Sequence, residues 1–416
     1  MSKFYLHQFH KYKQQKHSIL VKIMVESMSI DNLGNVSKKK SIAVFYPLFS
    51  GGGAESVGLW ILEALKETYD LTLFTLFNVD FDKLNSMYGT QISQEMVKVK
   101  AIFPKVTERS FKFLFANNRK LAIMAMHLVL RHLKSHNQEY DLLLSGYNAV
   151  DFGRIGVQYV HWINVISNEG LYGKISNSSL ENIKLNISMV NSFSVSKLFK
   201  DKFGIDAKVV YPPVLLDEQN ISWEEKENAF ICSGRLTSAK APHKVIQILK
   251  KVRQKGFDVK LYITGGGGGV YGWKYKRTLT KMVKENSEWV KLCENLPYKD
   301  YVKILFKCRY GIHHKPEPFG ISVAEMMKAG AIPFVRSKRK GIAGQVEIVG
   351  EENQELFFED QDDAVEKITN VLQDSEIQQK LQGALLKRKD FFSTEKFMAG
   401  ISEVVKNYFQ QHSNPI

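Results

Sequence analysis

Glu317 and Glu325 lie eight positions apart in the stretch "HHKPEPFGISVAEMMKAGAIPFV", residues 313–335. Pro316 and Pro318 flank Glu317 and keep it out of helix, because a residue before proline avoids helical backbone. Gly320 lets the backbone approach a ligand closely. A helix is predicted from Ile321 to a stop at Gly330, with Glu325 about one turn inside at ~1.5 Å rise per residue. Both carboxylates can then border one helix N-terminus, whose free amides attract anions. A bipolar ligand reconciles these opposite demands: its diphosphate meets the amides, and its sugar hydroxyls meet the carboxylates. A nucleotide sugar has that shape. Taken alone, a carboxylate pair at this spacing is more often a cap and a surface Glu.

The pair has company. Arg235 and Lys240 follow a strand-like run in "SGRLTSAKAPHK". Two long cations converging on a crevice can neutralise a diphosphate leaving group as its charge develops. His161 ends the strand-like "GVQYVHWI", a position where histidine is more often structural than catalytic. Gly51, Gly52 and Gly53 separate a strand from a helix, as an anion-binding or close-approach loop would. No Lys-Ser/Thr follows them, so this is no Walker A, and GxGxxG with a downstream acidic residue is absent. Gly265 opens a third glycine loop, "TGGGGG". The "DFD" at 80–82 falls in a polar connector and offers no convincing metal site.

These residues need elements to position them, and the pattern supplies two sets. "SIAVFYPLF", "GGGAESVGLWILEALKETY" and "DLTLFTLF" read as strand, helix, strand, which implies a parallel sheet. Further strands are expected at "VKVKAIF", "DLLLSGY", "GVQYVHWI", the start of "NISMVNSFSVSKLFKDKFG" and "AKVVYPPV". After Pro213 the alternation restarts and runs to "AIPFVRS", and three terminal helices follow. The fold class is α/β, with two doubly wound parallel-sheet units facing a central cleft, where glycine loops at strand ends converge. Residues 1–40 read as an appendage. The three cysteines, Cys232, Cys293 and Cys308, lack metal-ligand spacing and read as buried free thiols.

The net charge is +15 over 416 residues. Residues 1–40 hold eight Lys against two acidic residues, and residues 101–140 hold seven Lys/Arg against two. Such charge suits phosphorylated ligands, anionic lipid or nucleic acid without choosing among them. No run is long and apolar enough for a transmembrane helix, and no secretory signal is evident, which implies a cytoplasmic protein. The basic, aromatic-rich stretch 103–134 suits either a core-facing amphipathic helix or an anionic membrane surface. Two rival classes remain: a basic nucleic-acid-binding module and a dinucleotide-dependent α/β enzyme. The first leaves Glu317 and Glu325 without a role, and the second lacks its glycine fingerprint.

Taken in order, "GGGAES", "YVHW", "YPPV", "GRLTSAK" and "EPFGISVAEMMKAGAIPFV" resemble the motifs of retaining glycosyltransferases of family 4, which have the GT-B fold. The match spans about residues 41–400. Several details are similar to mannosyltransferases that extend lipid-linked oligosaccharides. Ala241 and Pro242 stand where the family usually has Gly after the lysine, and "KGIAGQVE" replaces its Gly-Gly-Pro segment. The basic extension at 1–40 has no counterpart in the motif set; the resemblance implies a Rossmann-like acceptor domain at 41–208 and a nucleotide-sugar domain at 209–390. The helix at 391–416 would pack back on the first domain.

On this resemblance a hexose moves from a nucleotide-diphospho-sugar to a hydroxyl of a glycan or polyprenyl-linked acceptor, with retention and no obligatory metal or cofactor. Arg235 and Lys240 would hold the diphosphate. Amides around Phe319, Gly320, Ile321 and Ser322 would contact sugar and phosphate, with Gly265 in the donor loop. Glu325 would bind ribose, Glu317 the donor sugar, and His161 would reach across from the first domain. Tyr298 would stack on the base, and Gly51 to Gly53 would form an acceptor or phosphate loop. The protein would act in the cytoplasm, peripherally at an anionic membrane face through 1–40 and 103–134, without nucleic acid.

Overall fold

A computed structural model describes residues 39–49, 52–163, 170–216, 219, 221–266, 272–337 and 344–412. The basic extension and Gly51 therefore fall outside the described residues, apart from Lys39 and Lys40.

The first half runs β1 (Ser41–Phe45), α1 (Gly53–Leu65), β2 (Asp70–Thr75), α2 (Phe81–Tyr88) and β3 (Val97–Ala101). It continues through α3 (Glu108–Asn117), α4 (Arg119–Ser135), β4 (Leu142–Ser145) and β5 (Val157–Val160). Then come α5 (Gly170–Ser176), α6 (Leu180–Leu185), β6 (Ile187–Val190), α7 (Phe193–Phe203) and β7 (Lys208–Val209). The seven strands lie in the order β3-β2-β1-β4-β5-β6-β7, all parallel. Central strands such as β1 and β4 are continuous apolar runs because helices cover both faces of a parallel sheet.

The second half runs β8 (Glu227–Ser233), α8 (Pro242–Gln254), β9 (Lys260–Gly265), α9 (Gly272–Glu285) and β10 (Val290–Glu294). It continues with α10 (Tyr298–Lys307), β11 (Cys308–His313), α11 (Ile321–Lys328), β12 (Ile332–Arg336), α12 (Gly344–Val349) and β13 (Phe357–Phe358). Helices α13 (Gln361–Gln373), α14 (Ser375–Leu386) and α15 (Thr394–Gln411) close the chain. This six-stranded parallel sheet has the order β10-β9-β8-β11-β12-β13.

Each sheet has its own core. Ile42, Val44 and Leu144 pack under α1, and Phe230, Tyr310 and Ile312 pack under α8 and α11. Helix α15 leaves the second half and inserts Phe397, Ile401, Val405 and Tyr408 into the first core. At ~1.5–3 kcal/mol for each fully buried apolar side chain, it is integral to that core.

Two local readings change, and a third becomes definite. "AKVVYPPV" yields only the two-residue β7, because Pro212 and Pro213 cannot donate to a ladder. "DFD" is not a connector: Asp80 caps α2 by accepting from the Lys83 amide at 3.1 Å, and Asp82 lies in that helix. The 103–134 stretch forms two helices, α3 and α4, broken at Asn118, which caps α4 by accepting from Lys120 N and Leu121 N. The three cysteines are free and buried, as expected.

Candidate active site

In the second sheet the strand order turns back between β8 and β11. Loops leaving two such strands diverge and open a crevice at their carboxyl ends. The loop after β8 carries Arg235 and Lys240, and the loop after β11 carries Glu317. Lys240 Nζ donates to Glu317 Oε1 at 2.5 Å, with both side chains largely buried. His313 Nε2 lies 3.6 Å and Lys315 Nζ 3.5 Å from the same oxygen. A small pocket, open to solvent, is lined by residues that include Ser233, Gly234, Arg235, Lys240, Thr264 and His313. Arg235 is exposed on its wall.

The two glutamates have opposite electrostatics. Burial pushes the Glu317 carboxyl up, but His313 and Lys240 outweigh it and hold the group at about 2. Burial also drives His313 toward its neutral form, and 3.6 Å is long for a hydrogen bond. The charge that keeps Glu317 ionised therefore comes chiefly from Lys240. Glu325 is raised to about 7 by desolvation, with Tyr301 pulling the other way. Tyr301 Oη donates to Glu325 Oε2 at 2.7 Å, and the Tyr301 hydroxyl also interacts with Ser233 of the pocket wall. So Arg235, Lys240 and Glu317 meet at one crevice, and Glu325 joins it through Tyr301.

The backbone here is built for close approach. Gly265 has φ +152°, and a Cβ there would lie 1.9 Å from the Gly234 carbonyl oxygen, so the loops after β8 and β9 touch. Gly320 has φ +108° and starts α11 with no side-chain cap. Phe319 turns inward, 3 % exposed, against Tyr211 and Phe392. Ser322 is half-buried. Ile321 meets the first half: a Cβ on Gly53 would lie 2.6 Å from Ile321 Cδ1. Gly52 gives its amide to Tyr88 Oη at 3.0 Å, which ties the loop down.

Two other expected site residues are held by contacts of their own. The His161 Nε2–H donates to the Gly146 carbonyl at 2.9 Å, so Nδ1 carries the lone pair. Burial lowers this imidazole to about 4, and it is neutral near pH 7. Its other hydrogen-bond partners among the described residues are Asn148 and Asn191, through its backbone. Tyr298 lies 6.2 Å, ring to ring, from Tyr301, and its hydroxyl donates to the Leu215 carbonyl at 2.7 Å.

Four residues were not assigned from the sequence: Tyr301, His313, Ser192 and Glu347. Ser192 Oγ donates to the Pro318 carbonyl at 2.7 Å, joining the first half to the Glu317 turn. Glu347 accepts from the amides of Phe193 and Ser194 at 2.8 and 2.6 Å. His313 adjoins Glu317 in the motif itself, and "NSFSV" carries a serine N-cap signal for α7. Tyr301 and Glu347 act over long sequence separations that leave no local trace.

Residues 216–386 match the family model of glycosyl transferases group 1. A search of curated proteins finds no match. Among solved structures, Anabaena Alr3699/HepE in complex with UDP and glucose is 16% identical, covering 88% of this chain and 100% of its own, with TM-score 0.62. A glycosyltransferase from Rickettsia africae ESF-5 is 14% identical, covering 89% of this chain and 98% of its own, with TM-score 0.59. An α,α-trehalose 6-phosphate synthase from Burkholderia multivorans is 10% identical, covering 89% and 100%, with TM-score 0.62. These likenesses establish the scaffold, and the family match falls on the half that holds the Lys240–Glu317 crevice. The chain has the two-sheet GT-B scaffold of these structures, and its second half matches the glycosyl transferases group 1 family.

Proposed function

We propose that the protein moves a hexose, with retained anomeric configuration, from a nucleotide-diphospho-sugar to a hydroxyl of a glycan or polyprenyl-linked acceptor. The observation that carries this reading is the meeting of Lys240 and Glu317 at 2.5 Å beside Arg235. Without donor, the lysine is neutralised by the glutamate. An arriving diphosphate competes for Lys240 and takes Arg235 as a second cation. The freed Glu317 carboxylate then accepts hydrogen bonds from the donor sugar. Glu325 holds the ribose hydroxyls, with Tyr301 fixing its carboxyl. Amides at the start of α11 meet sugar and phosphate. Two basic side chains and a helix start supply the charge stabilisation, so the reading requires no metal.

In the transfer step the acceptor oxygen bonds to the anomeric carbon as the bond to the β-phosphate oxygen breaks. The departing diphosphate takes the acceptor proton, and Arg235 and Lys240 bear its charge. In this reading His161, neutral, reaches the acceptor side of the sugar. The HepE structure with UDP-glucose makes a uridine donor the first to try. Exposed Leu114, Leu121 and Leu128 lie on the basic α3–α4 surface, which supports membrane-side presentation of a lipid-linked acceptor. No described helix is long and apolar enough to cross a membrane.

A thermal-shift panel of UDP-, GDP-, ADP- and TDP-sugars tests the reading. A cognate donor at 100-fold over its dissociation constant stabilises by about 2.7 kcal/mol. Folded protein that responds to none of them overturns it.

A further inference from the structure

The donor pocket belongs to the second half of the chain, yet the turn bearing Glu317 is held from the first. Ser192, fully buried at the head of α7, donates to the Pro318 carbonyl at 2.7 Å. That carbonyl belongs to the peptide between Pro318 and Phe319, next to Glu317. Its other side is closed by α12: a Cβ on Gly344 would lie 1.8 Å from the same oxygen. Three residues into α12, Glu347 reaches back and takes both leading amides of α7, at 2.8 and 2.6 Å. Tyr211 donates to Glu347 at 3.4 Å. From behind, Arg388 clamps α12 through the carbonyls of Ile348 and Glu347 at 3.0 and 2.6 Å. The head of α7 thus bonds at once to the Glu317 turn and to the helix that backs it.

Resting on the proposed function, we infer that Ser192 and Glu347 are cross-domain positioning residues, which set the Glu317–Phe319 turn for transfer only when the two halves are docked. Neither touches the pocket. Ser192 acts through one peptide oxygen. Glu347 acts by holding α7 in register, as an acidic group at a helix N-terminus does. Donor binding needs only the second half, and transfer needs both, so the sugar is activated only when the acceptor side is in place.

Ser192 also caps α7 by accepting from the Val195 amide at 3.1 Å, so alanine would confound the test. Glycine is a tolerable cap but has no hydroxyl, and threonine restores it. The full chain with Ser192→Gly, Ser192→Thr and Glu347→Gln is compared by hydrogen exchange over 316–323. Acceptor-free hydrolysis of the panel's best nucleotide sugar and nucleotide affinity are measured alongside. Ser192→Gly is expected to speed exchange of the turn and slow hydrolysis, each about tenfold, with nucleotide affinity within about twofold. Ser192→Thr should restore both, and Glu347→Gln should fall between. Unchanged exchange overturns the inference whatever the panel gives, because that readout needs no ligand. Unchanged hydrolysis, or nucleotide affinity lost as far as hydrolysis, overturns it as well. Silence of the panel with altered exchange counts against the function and leaves the coupling standing.

Discussion

Tyr301 Oη donates a 2.7 Å hydrogen bond to Glu325 Oε2 across twenty-four residues of chain, from α10 to α11. The bond sets the orientation of a carboxylate that would otherwise be free to turn, and it is the one influence holding that group's affinity for protons down. Tyr301→Phe should leave the fold intact and weaken nucleotide binding by about tenfold, the scale of a hydrogen bond to a charged group. Calorimetric titration with the best nucleotide of the panel measures it. Undiminished affinity would show that Glu325 needs no orienting partner.

The two glutamates predict a stability profile with two limbs. Glu325, raised to about 7, binds a proton more readily folded than unfolded, so stability falls as pH rises from about 4.5 to about 7. Glu317, held at about 2, has the reverse sign: its contribution is complete above about 4.5 and is lost as pH falls toward 2. Urea denaturation at each pH should show Glu325→Gln flattening the upper limb and Glu317→Gln the lower. A variant that shifts the whole curve without changing either slope contradicts the assignment.

Glu317→Gln also separates binding from transfer. Removing the carboxylate frees Lys240 for the diphosphate, so nucleotide affinity should hold or improve, while turnover drops by about a hundredfold or more. Leaving the lysine unpaired should cost about 3 kcal/mol of stability, recovered when nucleotide binds. Parallel turnover, affinity and melting measurements decide the matter. Equal losses of affinity and turnover would count against this division of labour.

Arg235 is exposed on the pocket wall. Arg235→Ala should therefore change stability by less than about 0.5 kcal/mol. Nucleotide affinity and turnover should both fall by about tenfold or more, and raised salt should narrow the gap from the parent protein. A destabilised variant would instead make Arg235 a structural residue.

Flotation with vesicles containing anionic lipid tests the α3–α4 surface. Leu121→Glu with Leu128→Glu should abolish co-flotation at physiological salt while leaving the melting temperature within a few degrees, because both side chains are exposed. The chain lacking residues 1–40 shows what share the basic extension contributes. Absence of flotation by the full chain would remove the membrane from the proposal.

Much of this was legible in the sequence, for identifiable reasons. The apolar runs and glycine stops are local signals, and they marked both alternating units. Pro316, Pro318 and Gly320 dictate local backbone, so the Glu317 turn and the start of α11 fell where expected. Lys240 was read as a phosphate ligand, but its pairing with Glu317 spans seventy-seven residues and required the fold. Tyr301 looked like any amphipathic helix residue. The amides around Phe319 were expected at the ligand, and nothing local foretold that its ring would fill an aromatic cluster with Tyr211 and Phe392. Glu347 was visible only as a departure from a familiar segment, because its partners are helix amides more than a hundred and fifty positions away.

Helix α15 sits last in the sequence and first in the architecture. Because Phe397, Ile401 and Tyr408 complete a core begun at Ile42, the front lobe is not a contiguous piece of chain. A gene fragment ending near residue 390 would expose a greasy seam under α1, and one starting near residue 209 would carry an orphan helix. Whoever wishes to study the lobes singly must splice the tail onto the front lobe; a simple cut at the midpoint leaves the front core unfinished.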